Sequence, residues 1–270
     1  MREFWIKNGK GSFTYFNKES SKIFLANPTG LGYSNAITTN QYADALNLVS
    51  EAQNFATVGG EMVFWDDANS NRYTKYNNFI SFLQEEPLTL YYKIPTSTPK
   101  TFSMSVAVAN IDKTESKEDG LMRCTFSLLG LSRWMGDEVS TTGSASSYSL
   151  TNNGHMPVGF EITVTGTNLE NPYITLEQNS EIYGEAKFID STAFDEVYVN
   201  SNDGKQEVSL KQGGSVLPNP LSYQDLSISN GSIYVTFIKL ARGTSTLAIG
   251  MDSGSITSVT IKFTPIYRSV

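Results

Sequence analysis

Apolar residues recur at every second position, with turn residues between the runs, and this limits the chain to a fold built mainly of β-strands. In TFSMSVAVA (101–109), Phe102, Met104, Val106 and Val108 share one face; in LMRCTFSLL (121–129), Met122, Cys124, Phe126 and Leu128 do the same. Successive strand side chains point to opposite faces, so each run has one side for a core and one for solvent or a partner. Between the two runs, NIDKTESKEDG (110–120) is mostly charged and ends in the turn pair Asp119–Gly120. That arrangement predicts a long hairpin whose tip protrudes into solvent or onto a neighbour.

One segment breaks the pattern. In NRYTKYNNFISFLQ (71–84), Tyr73, Tyr76, Ile80 and Leu83 fall on one helical face. Ser70 or Asn71 is placed to cap the start of this helix, and Pro87 stops it. A weaker helical period covers QYADALNLVSEAQNF (41–55), while GEMVFWDD (60–67) is strand-like. Residues 136–157, GDEVSTTGSASSYSLTNNGHMP, are small, polar and turn-rich, which predicts a linker or exposed loop. The expected domains are therefore 1–136 and 137–270. Beyond the boundary the alternating runs resume in GFEITVTGT, PYITLEQ, DEVYVNS, KQEVSL and SGSITSVTIKF, with turn signals at 200–206 and at SNG, 229–231. No helical period appears there, so the second half is expected to be a sandwich of antiparallel sheets.

With 270 residues and 39% hydrophobic content, the chain can bury a sizeable core. It holds no run of eighteen apolar residues, so no membrane-spanning helix is expected. MREFWIKNGKG at the start lacks the features of a signal peptide, and export by the secretory route is not expected. Charge is unevenly spread: residues 1–136 carry 13 basic and 13 acidic side chains, residues 137–270 carry 7 and 14. An acidic half with no basic cluster argues against nucleic-acid binding as the main task.

Catalytic and metal chemistry find little to work with. Glu85–Glu86, Asp66–Asp67 and Asp195–Glu196 are adjacent acids. Neighbours in a strand or helix point apart, whereas acid–base work on one bond needs carboxyls facing each other across ~5–9 Å. The lone His155 sits in TNNGHMP with no partner of metal-ligand spacing, and the lone Cys124 lies among apolar residues, where a buried inert thiol is expected. NSNDG lacks the acids and flanking helices of a calcium loop, and TVGGEM lacks the Lys-Ser/Thr of a phosphate loop. No enzyme, metal or cofactor is expected. All three tryptophans, Trp5, Trp65 and Trp134, precede residue 137, so the second half offers only tyrosine and phenylalanine to a saccharide.

NPTGLGYS (27–34), the Tyr73-x-x-Tyr76 helix leading into Leu88-x-Leu90-x-Tyr92-Lys93, Lys113-Thr114-Glu115, and Leu131-Ser132-Arg133-Trp134 occur in an order that resembles the distal tail proteins of siphophages infecting Gram-positive bacteria. The resemblance extends to the β-rich end, SVTIKFTPIYRSV, and so covers essentially the whole chain. It implies a mainly β protein: an N-terminal tail-tube-like β-sandwich with one flanking α-helix, and a C-terminal galectin-like antiparallel β-sandwich, the last few residues being candidates to return to the first domain. It implies a non-enzymatic hub at the tail tip or baseplate of the virion, assembled in the bacterial host cytoplasm. Its partners would be five further copies in a homo-hexameric ring, the major tail tube protein, the tail-associated (Tal) protein, and a receptor-binding or baseplate protein. DNA would pass through the channel without specific binding, and no membrane would be involved. The sugar-binding residues of true galectins are not matched: the chain has one histidine, no tryptophan after 134, and only Arg242 and Arg268 as later arginines. The competing reading is a carbohydrate-binding module that grips host cell-wall saccharide through the C-terminal sandwich.

A ring needs broad surfaces buried side by side, commonly through arms laid on a neighbour. The candidates are the charged hairpin, with Asp112, Lys113, Thr114, Glu115, Lys117 and Glu118, and the poorly periodic stretch 26–57.

Overall fold

The structure is a computed structural model and describes residues 3–18, 20–32, 34–42, 45–66, 69–115, 121–188, 193–216 and 237–270. The chain forms two compact units, residues 1–136 with 267–270, and residues 137–266.

The first unit contains β1 (Glu3–Lys7), β2 (Phe13–Phe16), β3 (Ile23–Thr29), β4 (Asn35–Tyr42), β5 (Ala45–Gln53), β6 (Thr57–Phe64), helix α1 (Asn69–Leu83), β7 (Leu88–Ile94), β8 (Lys100–Glu115), β9 (Met122–Gly130) and β10 (Trp134–Met135). One antiparallel sheet runs β2–β1–β7–β8–β9–β6–β3, with β10 beside β8. Its two edges meet. Asn17 N–H donates to the Ile23 carbonyl at 2.9 Å, and the Asn17 side-chain oxygen accepts the Leu25 N–H at 2.9 Å. The two layers of the sandwich are thus two halves of a single sheet folded over, so that Phe16 of β2 touches Phe126 of β9 at 6.3 Å between ring centres.

Helix α1 closes this core. Phe79, 3% exposed, meets Phe16, Phe64 and Phe126, and Tyr76 sets its edge on Phe64. The core-facing stripe is Phe79 and Leu83, both buried, with the partly buried Tyr76, whereas Tyr73, expected on that face, is 43% exposed. The helix begins at Asn69, so Ser70 and Asn71 lie within it rather than capping it. Asp66 anchors the start: its carboxylate accepts from the Asn71 amide and pairs with Lys75, each at 3.3 Å, and its carbonyl accepts from Arg72 Nε at 2.8 Å. Tyr267 returns to this unit with its ring edge on Phe102, 5.1 Å between centres, and Val270 N–H bonds the Leu31 carbonyl at 3.0 Å.

The second unit contains β11 (Val139–Gly143), β12 (Ser147–Asn152), β13 (Phe160–Glu170), β14 (Tyr173–Gln178), β15 (Glu181–Lys187), β16 (Phe194–Asn200), β17 (Glu207–Gln212), β18 (Ser215–Val216), β19 (Gly243–Gly250) and β20 (Ser253–Phe263). They form an antiparallel sandwich with sheets β11–β20–β13–β16–β17–β18 and β12–β19–β14–β15. Ile162, Val164, Val259 and Ile261 of the first sheet share one core with Leu150, Ile174, Leu176 and Leu247 of the second. The turn expected at 200–206 joins β16 to β17; the one expected at 229–231 lies outside the described residues.

Two expectations fail here. Residues 136–157 are not a linker: β11 pairs with β20 and β12 with β19. Their apolar side is short, Tyr148 and Leu150, and Ser and Thr fill the rest, so composition hid the strands. The segment 41–55 is not helical; Ala45–Gln53 is a strand, its local helix propensity overridden by pairing along β4.

Candidate assembly surfaces

The charged hairpin is more sheet than loop. A register shift between Val108 and Asn110 marks a bulge, beyond which β8 continues beside β9 as far as Glu115↔Met122. Asp112, Lys113, Thr114 and Glu115 therefore occupy strand positions opposite Thr125, Cys124, Arg123 and Met122, not a protruding tip. Lys117 and Glu118 lie outside the described residues. An extra residue inverts the alternation, so Ile111 packs on the core and Lys113 faces the same side as Cys124. The Lys113 amine sits over the rings of Tyr73, 4.4 Å from the centre, and Tyr76, 5.8 Å, which ties its charge to α1. Asp112 points to the other face and is exposed. Burial pushes the Cys124 thiol up to about 11, Lys113 acting downward and Asp112 upward.

The stretch 26–57 holds a different object. β4 and β5 pair with each other from Asn35↔Gln53 to Tyr42↔Ala45 and, among the described residues, belong to no other sheet. Residues 36–39 are all exposed, so at this level neither face of the ribbon is covered by its own chain. Its root, in contrast, is tightly held. Asn54 N–H donates to the Ser34 carbonyl at 2.9 Å. Arg133 Nη1 donates to the Asn54 carbonyl at 2.8 Å, with its guanidinium 4.6 Å from the centre of the Phe55 ring. Gly30 has φ of +79°, and a β-carbon there would stand 1.9 Å from the Thr57 carbonyl oxygen, so only glycine lets the ribbon leave the sheet at this point. Within Leu131-Ser132-Arg133-Trp134, Ser132 accepts the Ser105 N–H at 3.0 Å and Trp134 is buried. These roles were not readable from the sequence; the one hint was the absence of any lysine or arginine between residues 23 and 71.

The groups weighed for chemistry take structural places. Asp195 and Glu196 diverge, as strand neighbours must: Asp195 accepts the Gly213 N–H, while Glu196 pairs with Lys211 across the strands at 2.6 Å. Glu85 pairs with Lys10, and Glu86 is exposed. Asp67 is outside the described residues. His155 is exposed, its N–H bonded to the Ile266 carbonyl at 2.7 Å. Among the described residues no three His, Cys, Asp or Glu side chains converge as a metal site would require, and no helix is long and apolar enough to cross a membrane. The tyrosines of the second unit are largely engaged: Tyr148 is buried, Tyr173 lies against Gly250, and Tyr183 donates to Ser245 Oγ at 3.0 Å. Tyr223 and Tyr234 are outside the described residues.

Residues 3–131 match the sequence model of the family described as distal tail protein, N-terminal domain. No curated protein matches the chain. Among solved structures it is similar to the Dit protein of phage SPP1, described as a paradigm of hub adsorption apparatus in phages infecting Gram-positive bacteria, with a TM-score of 0.68 over 97% of this chain and 98% of that one at 14% identity. It is also similar to chains of the phage p2 baseplate in its activated conformation, with calcium (TM-score 0.55) and with strontium (0.54), each at 11% identity over 100% of both chains. At these identities the likeness is one of fold.

Proposed function

We propose, from the match of residues 3–131 to the distal tail protein N-terminal domain, that the chain is a component of the phage tail and builds a homo-hexameric ring joining the tail tube to the Tal protein. The second unit is the docking platform for a receptor-binding or baseplate protein. The ring is assembled in the host cytoplasm and ends in the virion, and the balanced charge of residues 1–136 lets DNA slide through the channel without being gripped.

The observation that carries the ring is the bare ribbon. A two-stranded hairpin alone in water is marginal, and two unpaired edges invite association. Yet here a rigid root holds β4 and β5 away from the sheet. Such an element makes sense when a neighbouring copy covers it. The exposed Asp112 at the β8–β9 end is a further candidate for contact with a neighbour. The saccharide reading gains no support, because Tyr148, Tyr173 and Tyr183 have their faces or hydroxyls occupied.

Sedimentation velocity over a concentration series tests the reading. Six 29.7 kDa chains predict a species of about 178 kDa. A chain that stays monomeric at the highest concentrations removes the ring.

A further inference from the structure

The sandwich of the second unit is defended on one side and open on the other. Its four-stranded sheet ends at β15, which carries Glu181, Glu185 and Lys187 and pairs with β14 through a register shift. Its six-stranded sheet ends at β18, two residues long. Charge, irregularity and shortness are the ordinary means of keeping a foreign strand off a sheet edge. The opposite edges, β11 and β12, use none of them. They pair in unbroken register with β20 and β19, and residues 139–152 hold no Asp, Glu, Lys, Arg or Pro. Neither has a second strand beside it among the described residues.

β12 is the longer of the two, and its free backbone groups can be assigned. The Ser146 carbonyl accepts the Ile249 N–H at 2.8 Å, and the pairs Ser147↔Ala248 to Asn152↔Gly243 continue that register. In an antiparallel pair, residues that bond the partner strand alternate with residues that point away from it. Tyr148, Leu150 and Asn152 therefore bond β19, whereas the N–H and C=O groups of Ser147, Ser149 and Thr151 point to the free edge. The side chains of these three are exposed, small and uncharged, so they do not obstruct a strand laid alongside. Tyr148 adds an independent sign. It is 8% exposed, and a β-carbon on Gly143 of β11 would stand 3.2 Å from its hydroxyl oxygen, so its ring spans the two sheets at this open end. Yet that buried hydroxyl has no hydrogen-bond partner among the described residues, which few buried polar groups lack.

We propose that β12 takes up an extended strand of the protein that docks on the second unit, lengthening the sheet β12–β19–β14–β15 by one strand. This rests on the platform reading above and gives it a place and a chemistry. Main-chain hydrogen bonds to Ser147, Ser149 and Thr151 supply the affinity, and alternate side chains of the incoming strand supply the selectivity. At ~3.3 Å per residue β12 spans roughly 20 Å, so the partner offers a stretch of about six residues free of proline. Every second one lies on the side of Tyr148 and Leu150, where a hydroxyl or amide can bond the phenol. The others join a surface of serine and threonine and are polar.

The test reads amide hydrogen exchange of the full chain, free and within purified phage tails. In the free chain the amides of Ser147, Ser149 and Thr151 should exchange almost as fast as in an unstructured segment; in the tail they should slow by at least about a hundredfold. Ser149→Pro removes one outward N–H and no ladder bond, a change that edge strands tolerate. Tails carrying it should hold at least about tenfold less of the docked protein by quantitative mass spectrometry, while Ser149→Ala holds the parental amount. If the proline variant does not fold, the exchange measurement, which needs no variant, decides alone. Amides that stay fast in the tail, or proline and alanine variants that dock alike, overturn strand addition; cross-links from the second unit to another protein in the same tails leave the platform reading intact. Protection of these amides in concentrated free chain means that a second copy takes the edge, and overturns the partner strand. Tails in which nothing cross-links to the second unit overturn both.

Discussion

Lys113 and Cys124 face each other across β8 and β9, and their environment decides what the lone thiol can do. Cys124 is 1% exposed and its thiol's titration is displaced upward to about 11, from an ordinary value of 9.0, mainly because burial disfavours the thiolate. The reactive form is thus scarce at neutral pH as well as inaccessible. Thiol labelling at pH 8 should proceed no faster than the protein opens, and should become immediate in denaturant; prompt stoichiometric labelling of the native protein would contradict this placement. The linkage has a definite sign. A folded-state value above the unfolded one means that the unfolded chain releases its proton first as the pH rises. The contribution of Cys124 to stability is therefore complete below about pH 9 and declines between 9 and about 11. A Cys124→Ala variant should lack that part of the alkaline decline.

At the scale of elements, the proposed role of the ribbon separates folding from assembly. Asn54 and Ser34 already close its root with a backbone hydrogen bond, so replacing residues 35–53 by Asn-Gly leaves a geometry that a two-residue turn can bridge. The expected variant melts at the parental temperature and sediments as a monomer; intact rings would move the assembly contact elsewhere. Deleting 112–119 would be a poor alternative, because it removes strand positions that pair with Thr125, Cys124, Arg123 and Met122. That difference marks what the sequence could and could not show. Helix α1 was legible because Tyr73, Tyr76, Ile80 and Leu83 keep a helical period and Pro87 follows, although Phe79 and not Tyr73 lies on the buried side. The strand nature of 110–115 was not, since the bulge after Val108 breaks the alternation and Lys113 holds a core-side position through its stem. β11 and β12 were hidden by serine and threonine, which pair as well as apolar residues do but leave no hydrophobic trace. The stretch 26–57 stood out as a candidate arm, but its two strands could not be read, because an element with no core of its own has no pattern to display. Of the candidate site residues, Asp112 is the one among those with described side chains that is exposed, and the root residues Gly30 and Arg133 lie in motifs that carry the family resemblance without disclosing their structural role.

For the whole molecule, the decisive fact is that each unit has its own closed core while the chain crosses between them twice, after Gly136 and again before Tyr267. Separate cores predict two melting transitions rather than one. They also predict an asymmetric response to loss of residues 267–270. Those residues contribute to the first unit through Tyr267 against Phe102 and Val270 on Leu31. Losing the ring contact and its partial burial costs about 2–3 kcal/mol, which for a unit of this size lowers its midpoint by roughly 6–10 °C. Leu31 adjoins Gly30 at the ribbon root, so the same truncation should loosen the arm and weaken ring assembly beyond the loss of stability. The core of the second unit includes none of these residues, and that unit should melt where it did. Differential scanning calorimetry reads both numbers at once: one transition moves and the other stays. If the two move together, the chain behaves as a single cooperative body, and the independence of the two cores is wrong.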